Sequence, residues 1–115
     1  MEITYKRYIN ADKNNRVEFL LINWDYEDGS DYLAKIFCKK FGMLAEEKVD
    51  YLYFSIIKLY DKDQVTYELL WHEDFGNMIY ATEQSEVIVD ALEQRLKVVL
   101  STLNEKIKSN QLLLE

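Results

Sequence analysis

Apolar and polar positions alternate in several short runs and then give way, toward the chain's end, to one long helical stripe. "ITYKRYI" (Ile3 to Ile9) alternates imperfectly, the polar "NADKNN" follows, and "RVEFLLINWDY" is again apolar and rich in β-formers. Two such runs about a polar turn predict a hairpin. "EDGSD" ends the second run, and Ser30 and Asp31 suit the N-cap and first turn of a helix with Leu33, Ile36, Phe37 and Phe41 on one stripe. Gly42 then suits the C′ position, where the backbone turns left-handed. "AEEKVD" reads as a polar connector. "YLYFSIIKLY" (Tyr51 to Tyr60) is apolar on both parities, which predicts a mid-sheet strand covered on both faces. "VTYELLWH" predicts a further strand, the "EDFG" turn follows, and "NMIYA" reads as a short fifth strand at or near an edge.

The strongest periodicity comes last. Ile88, Leu92, Leu96, Val99, Leu103 and Ile107 recur at helical spacing, with Thr82 or Ser85 placed to cap the helix. Glu83 and Glu86 stand near its positive end and Lys106 and Lys108 near its negative end, as the helix dipole favours. Such a helix is roughly 36 Å long at 1.5 Å per residue, enough for its last turns to overhang a small sheet. The expected fold is α+β: a single ββαβββα domain over residues 1–113, with an antiparallel sheet of about five strands and two helices packed on one face. Leu114 and Glu115 read as a possible cloning scar. No proline occurs and the three glycines are scattered, so no linker or repeat divides the chain.

Charge narrows the range of partners. Twenty-one acidic residues against fourteen basic ones give a formal charge of −7 in 115 residues. A nucleic-acid backbone repels such a surface, whereas a basic protein is attracted to it. No nucleic acid and no membrane is expected as a partner, and a basic protein is. The single cysteine, Cys38, excludes an intramolecular disulfide; "MEITYKRYIN" has no apolar core of a signal peptide, and no run reaches membrane-spanning length. A cytoplasmic protein is the expectation. Nine tyrosines, five phenylalanines and two tryptophans exceed what a small core needs, so some aromatic rings are expected outside it.

Candidate chemistry concentrates in "LLWHEDFGNMIYA" (Leu69 to Ala81), which contains the only histidine. Strand parity separates its residues: Trp71 shares a face with Val65, Tyr67 and Leu69 and is expected in the core, whereas His72 shares the other face with Thr66 and Glu68. His72 is therefore expected on the solvent side near a turn. A metal site needs three or four converging ligands, and none is signalled. The spacing of an EF-hand is absent, and so is any glycine-rich phosphate loop. Cys38 on the first helix has no signalled histidine partner and reads as a half-buried structural residue. No catalytic residue, metal or cofactor is expected.

Two short stretches echo one another. "WDYEDG" (Trp24 to Gly29) and "WHEDFG" (Trp71 to Gly76) both place a tryptophan five residues before a glycine, with carboxylates between. If these strand ends adjoin, Asp25, Glu27, Asp28, Asp31, Glu73 and Asp74 form an acidic rim beside exposed aromatics, with Tyr26 and His72 among the contact residues. Such a rim is costly unless a cation or basic partner neutralises it. In size, charge and layout the chain is similar to small acidic bacterial α+β proteins and to cytoplasmic immunity proteins that neutralise basic toxins. That resemblance implies a non-enzymatic, inhibitor-like binding role and, lacking a diagnostic motif, transfers no residue. Two other readings stand beside it. One is a structural homodimer joined through the open sheet face, an edge strand or the end of the long helix. The other is a small metal-dependent or acid–base enzyme using His72 with two or more acids in a concave pocket.

Overall fold

Strands β1 (Thr4–Asn10) and β2 (Arg16–Ile22) form the expected hairpin, with Thr4 opposite Ile22 and Asn10 opposite Arg16. In the computed structural model, which describes residues 1–110, helix α1 (Gly29–Phe41) comes next. Two short strands follow, β3 (Leu44–Ala45) and β4 (Val49–Asp50), then β5 (Phe54–Tyr60), β6 (Thr66–His72), β7 (Gly76–Ala81) and helix α2 (Glu86–Lys108). The sheet is antiparallel and has seven strands, in the order β1-β2-β7-β6-β5-β3 with β4 also paired to β5. Two strands beyond the expected five come from the expected polar connector and the residue before it, where Leu44 pairs with Tyr60 and Val49 with Ile56. Residues Leu114 and Glu115 lie outside the described residues.

The helices follow their sequence signals closely. Ser85 caps α2 by accepting a bond from the Ile88 N–H at 3.2 Å, and Val89, Leu92, Leu96, Val99, Leu100 and Leu103 are buried along it. Ile107, the last residue of the predicted stripe, is exposed. Gly42 ends α1 in the left-handed conformation expected of it, its N–H bonded to the Cys38 carbonyl at 2.9 Å. At the other end of α1 the expectation fails: the cap position is Asp28, and the Ser30 hydroxyl donates to Asn77 Oδ1 at 3.1 Å. Among the described residues no helix is long and apolar enough to cross a membrane.

Both helices share one hydrophobic core with alternate residues of the strands, including Phe19, Leu21, Ile57, Leu59, Tyr67, Leu69, Ile79 and Ala81. Polar bonds fasten the same face. The Tyr5 hydroxyl donates to Glu93 of α2 at 2.6 Å, and Arg95 of α2 donates to Asp61 at 3.1 Å and to the Tyr67 hydroxyl at 2.9 Å. Asn104 of α2 both accepts from the Ile3 N–H and donates to the Ile3 carbonyl, supplying bonds that no neighbouring strand offers there. The intervening residues Glu18, Leu20, Ile56, Leu70, Met78 and Tyr80 face the other side.

That second face is not bare, and it explains the main misplacement of strands. The sequence pattern puts "NMIYA" at or near an edge, yet β7 lies between β2 and β6, and all six of its residues are buried. The helices cover one side of β7, and on the other a row of polar side chains packs around Tyr80 and Met78. Glu18, 1% exposed, takes bonds from Arg16, from the Tyr8 hydroxyl at 2.5 Å and from Asn10, while the Tyr80 hydroxyl donates to Glu68. The Arg16 guanidinium lies over the Tyr80 ring, 3.6 Å from its centroid. Conversely β5, expected in mid-sheet, has only the two-residue strands β3 and β4 on its outer side.

Candidate functional site

Three connections meet at the end of the sheet where β2 leaves and β6 turns into β7. After Ile22 the chain does not continue as a strand: Asn23 adopts φ +69°, its amide donates to the Glu2 carbonyl at 2.9 Å, and Trp24 turns into the core. Its indole N–H donates to the Gly29 carbonyl at 3.1 Å, and its ring meets Tyr26 and Tyr32 edge-on at 5.1 and 5.8 Å. This fixes residues 24–29 as a tight loop leading into α1.

Asn77, the second residue of β7, ties that loop to the β6–β7 turn. It is fully buried, and its amide nitrogen donates to the carbonyls of Trp24 at 3.0 Å and Tyr26 at 2.9 Å while its oxygen accepts from Ser30. Trp71 adds a fourth bond, from its indole N–H to the Asp25 carbonyl at 3.1 Å. Trp71 does point to the helix-covered side, as parity required, but it stands at the end of the sheet and is only half-buried, so it braces the loop rather than filling the core. The third connection, Tyr51 to Tyr53, joins through its own backbone, where the Glu73 N–H donates to the Tyr53 carbonyl at 2.9 Å.

The two echoed stretches therefore adjoin. Asp25, Glu27, Asp28, Glu73 and Asp74 are all exposed, and none forms an ion pair among the described residues. Around them stand apolar side chains in water: Tyr26 is 59% exposed, Phe75 62% and Leu52 82%, with Tyr51 and Tyr53 more than half exposed. Asp31 departs from the expected set. One turn into α1 it is half-buried and paired with Lys48, so its charge is already met within the chain.

His72 lies on the open face beside this end, half-buried, with its ring 4.7 Å from that of Phe75. Its Nδ1 accepts from the Asp74 N–H at 3.0 Å, so the neutral ring carries its proton on Nε2. The concavity that His72 borders has a single acidic residue in its lining, Glu18, and that carboxylate is occupied by Arg16, Tyr8 and Asn10. The two acids that acid–base chemistry with His72 requires do not converge there. Among the described residues no group of three or more His, Cys, Asp or Glu side chains could hold a metal. Cys38 is half-buried on α1, across the sheet from His72, and burial pushes its thiol pKa up, away from the thiolate that a nucleophile needs.

Tyr51, Leu52 and Tyr53, which the sequence pattern places at the start of a strand, are instead a protruding tip next to Glu73. Tyr51 stacks on Phe54 with centroids 4.5 Å apart, which pins the tip to the first residue of β5. A signal was present: the run is apolar on both parities, which fits a doubly covered strand and fits equally well an apolar tip preceding one. Comparison with protein-family models, with characterised proteins and with solved structures gives no match for this chain.

Proposed function

We propose that the end of the sheet formed by residues 24–28, 51–53 and 73–75 binds a basic partner protein, and that the chain is a non-enzymatic recognition module of the immunity or inhibitor kind. The observation that carries the reading is the convergence of three connections, held by hydrogen bonds through Asn77, Trp71 and the Tyr53 carbonyl, that displays five carboxylates without ion-pair partners among the described residues, beside exposed tyrosines and a phenylalanine. Interfaces are anchored by aromatic side chains at their centres, while complementary charge sets approach rate and partner choice. Packing Asp25, Glu27, Asp28, Glu73 and Asp74 together disfavours the isolated chain and favours a complex in which lysines or arginines neutralise them. A symmetrical dimer through this end would oppose like charges, so the occupant is a different chain.

The test is capture from the native host by the wild type and by a variant carrying Glu73→Lys and Asp74→Lys. A basic protein retained by the wild type at about 50 mM salt, released at about 500 mM and not retained by the variant supports the reading. Retention of the same partner by both proteins, unaffected by salt, contradicts it.

A further inference from the structure

A second surface lies on the other side of the sheet, away from the helices. The open face carries a shallow, solvent-open concavity of about 520 Å³, a size within the roughly 300–1,000 Å³ of small-molecule sites. Its floor is Leu20, Met78 and Leu70, which stand opposite one another across β2, β7 and β6, and Phe75 walls one end. Lys6 and Lys13 border it from the β1–β2 hairpin, both exposed, and neither forms an ion pair among the described residues. The one carboxylate in the lining, Glu18, is neutralised by Arg16 and saturated by Tyr8 and Asn10, so it presents no free charge to a ligand.

We propose that this concavity binds a small amphipathic anion, with an apolar chain or ring on Leu20, Met78 and Leu70 and an anionic head group at Lys6 and Lys13. Charge complementarity selects the sign. In a chain of net charge −7, a concave apolar surface whose unpaired ionic groups are two ammonium groups is matched by a ligand with one anionic end. Lys6 stands level with Leu20, Met78 and Leu70 at the β1 edge, whereas the acidic turn at Glu73 and Asp74 follows β6 beside Phe75 and repels a head group placed there. A ligand is therefore oriented across the strands, head group toward the β1–β2 hairpin. This site is independent of the acidic end proposed above to bind a protein.

The test titrates the full chain with decanoate and, separately, with decyltrimethylammonium, which keeps the alkyl chain and inverts the charge. Methyl resonances of Leu20, Leu70 and Met78 are followed by NMR. Saturable 1:1 decanoate binding that shifts these methyls, with decyltrimethylammonium clearly weaker, is expected. Lys6→Gln combined with Lys13→Gln should weaken decanoate roughly fivefold to tenfold, the size of two exposed charge contacts, while leaving the unfolding midpoint unchanged. Leu70→Gln is the second variant and should weaken both amphiphiles together. The proposal is overturned if decanoate shifts residues elsewhere, if the two amphiphiles bind equally, or if no saturable binding occurs.

Discussion

Asp25 and Gly76 touch across the end of the sheet. A Cβ added to Gly76 would lie 2.6 Å from the Cβ of Asp25 and 3.0 Å from its Cα, and Gly76 itself holds φ +84°. The glycine that closes the β6–β7 turn thus does two things. It takes a backbone conformation that side chains disfavour, and it lets the acidic loop after β2 lie directly on the turn. Replacing it with alanine is expected to destabilise the fold by about 2–5 kcal/mol, from roughly 1–2 kcal/mol of left-handed strain and a further 1–3 kcal/mol to displace the loop. Urea unfolding of Gly76→Ala measures this. A loss under about half a kcal/mol would mean that the loop yields freely and that the acidic end is not held as described.

Asn77 carries the next expectation. Asn77→Ala removes the donor that serves the Trp24 and Tyr26 carbonyls and the acceptor that serves Ser30; the Tyr26 carbonyl keeps the Gly29 N–H, while the buried Trp24 carbonyl and Ser30 hydroxyl lose these partners at about 1–3 kcal/mol each. The effect should be local before it is global. In hydrogen exchange the amides of Gly29 and Asp31, which bond to Tyr26 and Asp28, should lose protection first, while those of the β5–β6 ladder keep most of theirs. Equal loss everywhere would show that Asn77 supports the whole sheet rather than the loop.

Stability should fall at both extremes of pH. The Tyr5 hydroxyl holds the Glu93 carboxyl below its ordinary 4.5, with burial opposing and Arg7 assisting. Burial alone would raise Asp61, but the Tyr67 hydroxyl, the Val65 and Asp63 N–H groups and Arg95 outweigh it and hold it below 3.8. The folded chain thus binds these protons less tightly than the unfolded one, so their contribution is complete above about pH 5 and is lost as pH falls through the folded values. Tyr5 and Tyr67 are pushed up to about 12, by burial and then by Glu93 and Asp61 respectively. Their contribution is complete below the ordinary value of 10 and is lost as pH rises toward 12. In unfolding curves across pH, Glu93→Gln should flatten the acid limb and Tyr67→Phe the alkaline limb. Unchanged limbs would remove these groups as the cause.

The isolated protein should show the strain of its unpaired acids. Glu73→Lys with Asp74→Lys relieves repulsion among Asp25, Glu27 and Asp28, so the variant should melt a few degrees higher than the wild type at low salt. The difference should shrink at about 0.5 M salt, where screening acts within roughly 4 Å. A variant that melts lower at every salt concentration would show that the acids stabilise the turn in some other way.

Much of the fold was legible in the sequence because the signals were local. Ser85 and the stripe from Ile88 to Leu103 define α2, Gly42 stops α1, and the polar residues after Asn10 mark the first turn. What failed was long-range. Periodicity records which side chains meet water, and it cannot say which strand is the neighbour. The shortness of "NMIYA" suggested an edge, yet Phe19 and Leu20 of β2 pair with Ile79 and Met78 and put β7 near the middle. Leu44 and Val49 are apolar but exposed and stand among polar residues, so two two-residue strands paired to β5 left no periodic pattern. The adjoining acidic turns were expected only conditionally. What settles their contact is the backbone of Trp24 and Tyr26 reaching Asn77, a residue whose amide in the sequence marks nothing more than a strand beginning.

The most direct measurement is the affinity of the partner captured from the host, determined calorimetrically at two salt concentrations for four proteins. These are the wild type, Glu73→Lys with Asp74→Lys, Tyr53→Ala, and Lys39→Glu on the distant face of α1. The expected result is a loss of about tenfold or more for the charge reversal and for Tyr53→Ala, a wild-type affinity that falls steeply with salt, and no change for Lys39→Glu. A partner that binds the first three proteins equally at both salt concentrations would contradict recognition through this end of the sheet.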